Sequence, residues 1–112
     1  MDPDLPDNIH ISDVVVSTAG RDQGEVFYVI DEDPVYLMLA NGKDRTLDKP
    51  KRKKRRHVQK VLRSETRVAA KILSGDKVLN SELRRDLAFH VKEMQAINLG
   101  GYQLGKRRRN RD

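Results

Sequence analysis

The chain predicts an α+β fold, a small curled β-sheet followed by two short helices. Three observations predict it. Short apolar runs of strand character fill residues 9–62, the apolar period then changes from two to three and four, and Gly, Asn-Gly and Asp-rich turn signals separate the strand-like runs. The length of 112 residues suits one domain, or one small domain with an appendage. A core of this size buries about 60–65% of the surface of the unfolded chain, so stability should be modest.

Residues 1–8, rich in Pro and Asp, read as a flexible lead-in. The first strand is expected from Ile9 to about Ser17, around Val14-Val15-Val16. A polar loop bracketed by Gly20 and Gly24 follows. Residues 25–30 form a β-branched and aromatic run that suits a second strand. Asp31-Glu32-Asp33-Pro34 reads as a turn. Val35, Leu37 and Leu39 then alternate with Tyr36, Met38 and Ala40, the period of a third strand. Asn41-Gly42 signals a type I′ hairpin turn, because both central positions need positive φ, with Arg45-Thr46-Leu47 as the returning strand. The fifth strand is expected at about His57 to Leu62. A sheet of five such short strands avoids exposed edges by curling up, and an SH3-like barrel is the natural candidate.

Beyond residue 63 the pattern is helical. Ser64 is the expected N-cap, with Glu65 at the positive end of the helix dipole, Val68, Ala69, Ile72 and Leu73 as the apolar stripe, and Gly75 as the stop. A second helix is expected from Asn80 or Ser81, with Leu83, Leu87, Val91, Met94 and Ile97 on one face and Arg84, Arg85 and Lys92 off it. The organisation expected is a lead-in at 1–8, a barrel at 9–62, a helical extension at 63–99 and a disordered basic tail at 100–112. The helix stripe serves as core, as a seam between the helices, or as a docking face for a partner or a second copy. Oligomeric state is left open by the sequence.

Charge divides the chain. Residues 1–48 hold 3 Lys/Arg and 11 Asp/Glu, a net of −8, whereas residues 49–112 hold 20 and 6, a net of +14. Residues 49–63 alone carry nine Lys/Arg and no acid. Such a density repels itself unless it is solvated or paired with a polyanion, whose condensed counterions are released on binding. Backbone contact suits this mixture better than base reading, since Lys supplies point charges and Arg a two-donor fork. The other readings of the run are a solvated loop, a nuclear-targeting signal and an anionic membrane contact. There is no Cys, which removes disulfides, thiolate zinc sites and cysteine nucleophiles. The apolar stretch at 35–40 is too short to cross a bilayer, and Met1-Asp2-Pro3-Asp4 lacks the features of a signal peptide, so the expected location is cytoplasmic.

The segment from Val14 to Val26 places an apolar strand, the loop Gly20-Arg21-Asp22-Gln23-Gly24 and another apolar strand in succession. It resembles a KOW motif. With the hairpin and the basic run behind it, the chain resembles the bacterial KOW domain-containing RNA-binding proteins, relatives of KOW-bearing proteins of the archaeal and eukaryotic large ribosomal subunit. The resemblance spans about residues 9–62. It implies an SH3-like barrel of KOW type that binds RNA, ribosomal RNA above all, and associates with the ribosome. Gly20, Arg21, Asp22 and Gly24 match the motif, while Gln23 stands where many KOW loops carry Lys.

The candidate RNA-binding residues are therefore Gly20, Arg21, Asp22 and Gly24 in the loop, Lys49, Lys51, Arg52, Lys53, Lys54, Arg55, Arg56 and His57 in the run, and Lys106, Arg107, Arg108 and Arg109 in the tail. Glycine lets a backbone approach a phosphate closely. Asp22 either braces the loop or accepts from a 2′-hydroxyl. The loop lacks the Gly-Lys-Ser/Thr of a nucleotide-binding P-loop, and the aromatics lack the pattern of an RRM. His10, His57 and His90 share no local metal-ligand spacing, and His90 with Asp86 reads as a helix-surface pair. No nucleophile motif is present, so no catalysis, metal, cofactor or small-molecule substrate is expected. The alternatives to RNA binding are a protein-interaction adaptor and a KOW-type transcription factor module.

Overall fold

Four apolar runs and one wholly cationic segment pair into the five-stranded antiparallel sheet of a computed structural model that describes residues 8–97. The strands are β1 (Asp13–Ser17), β2 (Val26–Glu32), β3 (Tyr36–Ala40), β4 (Lys51–Lys54) and β5 (Val58–Arg63), in the order β4-β3-β2-β1-β5. A 3₁₀ turn, Arg55–His57, joins β4 to β5. Helices α1 (Arg67–Ser74) and α2 (Asn80–Ile97) follow. The architecture is α+β and compatible with a small β-barrel-like fold.

The sheet carries a buried cluster on each of its faces. Val15, Phe27, Val29, Leu37, Leu39 and Val58 close on Ile9 in one cluster. Val14, Tyr28 and Ala40 point the other way, onto Val68, Ala69, Leu83 and Leu87 of the helices. This explains why β1 reads as a continuous apolar run: it lies between β2 and β5 and is covered on both sides. Register shifts opposite Val14/Val15 in the β1–β5 ladder and at Val29/Asp31 in β2 mark bulges, which bend strands.

Several boundaries differ from the expectation. β1 begins at Asp13 rather than Ile9, because Ser12 adopts φ 76° and turns the chain, leaving Ile9 as a separate buried plug. Asp31 and Glu32 extend β2, and the turn is made by Asp33, whose Oδ1 accepts the N–H groups of Val35 and Tyr36 at 2.8 and 2.7 Å. The type I′ turn at Asn41-Gly42 does not form, since Gly42 has φ 77° but Asn41 does not have a positive φ. Asn41 Oδ1 instead accepts from Lys43 N and Arg45 N, at 2.9 and 3.0 Å, and braces a wider loop. Residues 45–47 are then no strand. Gly42 lies against α2 so closely that a Cβ would stand 2.2 Å from the Asn80 carbonyl oxygen.

The α1 cap is Thr66, not Ser64; its side chain accepts from Ala69 N. Gly75 closes α1 in the left-handed region, φ 81°, as expected of a helix stop. The second helix runs as its spacing predicts, with Leu83 and Leu87 buried against the sheet. Among the described residues, no helix is long and apolar enough to cross a membrane.

Candidate nucleic-acid interface

The basic run is a strand for half of its length, not a loop. Among the described residues β4 pairs with β3 alone, at one edge of the sheet, setting Tyr36 opposite Lys54, Leu37 opposite Lys53, Met38 opposite Arg52 and Leu39 opposite Lys51. Directly opposed residues share a face, so the pleat divides the charges. Lys51 and Lys53 lie on the side of buried Leu37 and Leu39, while Arg52 and Lys54 lie outside with Tyr36 and Met38.

The inward lysines meet the loop at 20–24. Lys53 is only 8% exposed, and its Nζ donates to Asp22 Oδ1 and to the Ala19 carbonyl, each at 2.8 Å. Lys51 Nζ stands 3.3 Å from Asp22 Oδ2, and Ser17 Oγ donates to Asp22 Oδ1 at 2.7 Å. Oδ2 is buried and gains charge compensation from Lys51 without a well-formed hydrogen bond. Burial pushes the Asp22 carboxyl up, but the hydrogen bonds from Lys53 and Ser17 and the nearby Lys53 and Lys51 charges outweigh it and hold the pKa at about 2. Asp22 therefore ties loop to strand, and neither it nor Lys53 is available to a ligand without breaking that tie.

The same alternation continues past the strand. Arg55 is committed inward: its Nε donates to the Asp33 carbonyl at 2.8 Å, one terminal nitrogen to the Ile9 carbonyl at 2.9 Å and the other to Glu32 Oε1 at 2.8 Å. Burial raises the pKa of Glu32, yet the Ile11 N–H, Arg55 and His10 together bring it below the usual carboxylate range. Arg56, like Lys49, Arg52 and Lys54, is exposed. Of the seven cations at 49–56, three are ion-paired inside the fold and four face solvent.

Around the loop, Gly20 and Gly24 have φ 87° and 92°, conformations that side chains with a Cβ resist. Gly24 N donates to the Ser17 carbonyl and Gln23 N to that of Gly20, closing a tight turn that exposes Arg21. His57 is half-buried, and its carbonyl accepts from Thr18 N, which ties the start of β5 to the same loop. The structure thus brings the loop at 20–24 and the basic run together, with Arg21, Lys49, Arg52, Lys54 and Arg56 as their exposed cations. Lys106, Arg107, Arg108 and Arg109 lie outside the described residues.

A second polar cluster escaped the reading of the sequence. Tyr28, in the middle of β2, projects its hydroxyl toward the helices and donates to Asp86 Oδ2. Ser64 Oγ lies 2.7 Å from the Tyr28 hydroxyl and 2.9 Å from His90 Nε2, and Thr66 Oγ1 donates to Asp86 at 2.9 Å. His90 is buried rather than on the helix surface, because its turn of α2 packs onto the sheet. Burial, with the Asp86 carboxylate behind it, pushes the Tyr28 hydroxyl well above the usual phenol range. Ser64, His90 and Asp86 do not form a catalytic relay. Ser64 and Asp86 both approach Nε2 of His90, at 2.9 and 3.3 Å, whereas a relay needs them on opposite ring nitrogens. The cluster pins α1 and α2 to the sheet. Among the described residues, no group of three or more His, Asp or Glu side chains is arranged to hold a metal ion.

No protein-family model matches the chain, and no curated protein matches it.

Proposed function

We propose that this protein binds RNA, ribosomal RNA in the first place, and works on the ribosome in the cytoplasm as a KOW-type SH3-like barrel with a helical extension. The observation that carries the reading is the pleat of β4. It fixes Lys51 and Lys53 on Asp22 and turns Arg52 and Lys54 outward, with exposed Arg56 just beyond. A cationic edge held rigid on a sheet is pre-organised for a phosphate backbone, with less ordering to lose on binding than a free loop has. The loop fits the turn that the KOW reading requires, since its two glycines take positive φ and Arg21 is exposed. The cationic edge also discourages strand-to-strand association, which charges on an edge strand oppose.

Sedimentation of the tagged full chain from cells tests this directly. Cosedimentation with ribosomal particles at low salt, lost as salt rises, is the expected result. Chain that stays at the top of a low-salt gradient rejects the ribosome, and failure to crosslink RNA rejects the RNA. With Arg52, Lys54 and Arg56 as the outward cations, the slope of log K against log salt should be about −2 for single-stranded RNA. Salt-tolerant binding to a protein, unaffected by Arg52→Gln and Lys54→Gln, would instead mark an adaptor.

A further inference from the structure

We infer that the outer face of β3 and β4 holds a stacking site for one unpaired nucleobase, formed by Arg52 seated on Tyr36. This rests on the RNA reading above and narrows its ligand to single-stranded or looped RNA.

Tyr36 stands opposite Lys54, and Arg52 opposite Met38, so Tyr36 and Arg52 are diagonal neighbours on one face of the sheet. The Arg52 guanidinium carbon lies 3.8 Å from the centroid of the Tyr36 ring. That contact is a cation–π seat, and it holds the side chain in place. Arg52 is nevertheless exposed, and its guanidinium makes no hydrogen bond or ion pair among the described residues; Asp33 senses its charge only at longer range. Arg55 differs in every respect, with its guanidinium nitrogens spent on the Asp33 and Ile9 carbonyls and on Glu32. Arg52 is thus positioned but uncommitted.

A planar guanidinium with one face on an aromatic ring offers its other face to a second π-system and its edge N–H groups to phosphate. Lys54 lies on the same face and Arg56 is exposed beyond it, placed to take the phosphates flanking such a base. A duplex hides its base faces in the stack, whereas single strands, loops and bulges expose them. The site therefore selects unpaired nucleotides without reading which base they carry.

The test uses the full chain and an oligoribonucleotide of about ten nucleotides carrying one 2-aminopurine, alone and annealed to its complement. The single strand should bind about tenfold more tightly than the duplex at the same salt, with quenched fluorescence. Arg52→Lys keeps the charge and loses the stack, so it should weaken single-strand binding about tenfold and abolish the quench while leaving the salt slope unchanged. Lys54→Gln should do the reverse, making the slope shallower and preserving the quench. Tyr36→Leu, folded by circular dichroism, should behave as Arg52→Lys does; if it does not fold, Arg52→Lys alone decides. Equal affinity for duplex and single strand, or an Arg52→Lys protein with unchanged affinity and quench, overturns the stacking site while RNA binding stands. Binding to neither oligonucleotide overturns both readings.

Discussion

Lys53 and Lys54 are neighbours of identical chemistry, yet they belong to different parts of the protein. Lys53 is buried, hydrogen-bonded to Asp22 and the Ala19 carbonyl, and holds the loop at 20–24 to the edge of the sheet. Lys54 stands in solvent on the opposite face. The difference is one step of a β-pleat. It teaches that the cations of a basic run cannot all be counted as ligand contacts once the run is a strand, because alternate side chains turn into the fold.

The hardest break of this contrast is Asp22→Ala. It strands the buried Lys53 ammonium without its counter-charge, and should cost about 3–5 kcal/mol in a urea or thermal unfolding titration. Lys53→Ala should cost less, about 2–3 kcal/mol, since Asp22 keeps Ser17 and Lys51. Acid should reproduce part of the effect. The folded pKa of Asp22, about 2, lies below its ordinary value of 3.8, so its stabilisation is present above pH 4 and is lost as pH falls toward 2. The loss amounts to about 2 kcal/mol, and an Asp22→Asn variant should have a correspondingly flatter stability profile between pH 4 and 2. Lys54→Gln should change stability by no more than about 0.5 kcal/mol. Its effect belongs to RNA binding, where the salt slope should become shallower by about 0.7, and an equal stability loss for Lys53→Ala and Lys54→Gln would erase the distinction between the two faces.

The legible parts of the fold were those with an apolar signal. The alternation at 35–40, the β-branched run at 25–30 and the stripe Leu83 and Leu87 lie close to where their periods put them. β4 carried no such signal, for Lys51–Lys54 is wholly cationic and its place in the sheet depends on pairing with Leu37 and Leu39 across the ladder. The return strand assigned to residues 45–47 failed for a related reason. Asn41 uses its side chain to brace a wide loop, and Gly42 is required by the approach of α2 rather than by a two-residue turn. Both depend on contacts between distant segments. The four-residue spacing of His90 from Asp86 is visible in the sequence, whereas Tyr28 and Ser64, which enclose it, come from β2 and the segment before α1.

By itself the sequence determined the α+β class, the acidic and basic halves, the two helices and the glycines of the loop at 20–24, because composition, periodicity and backbone freedom are local properties. Tertiary structure alone decided which cations are structural and which are displayed, and that Asp22 is a brace inside the fold. That choice depends on which face of a strand is covered, and the covering groups come from a loop about thirty residues away along the chain.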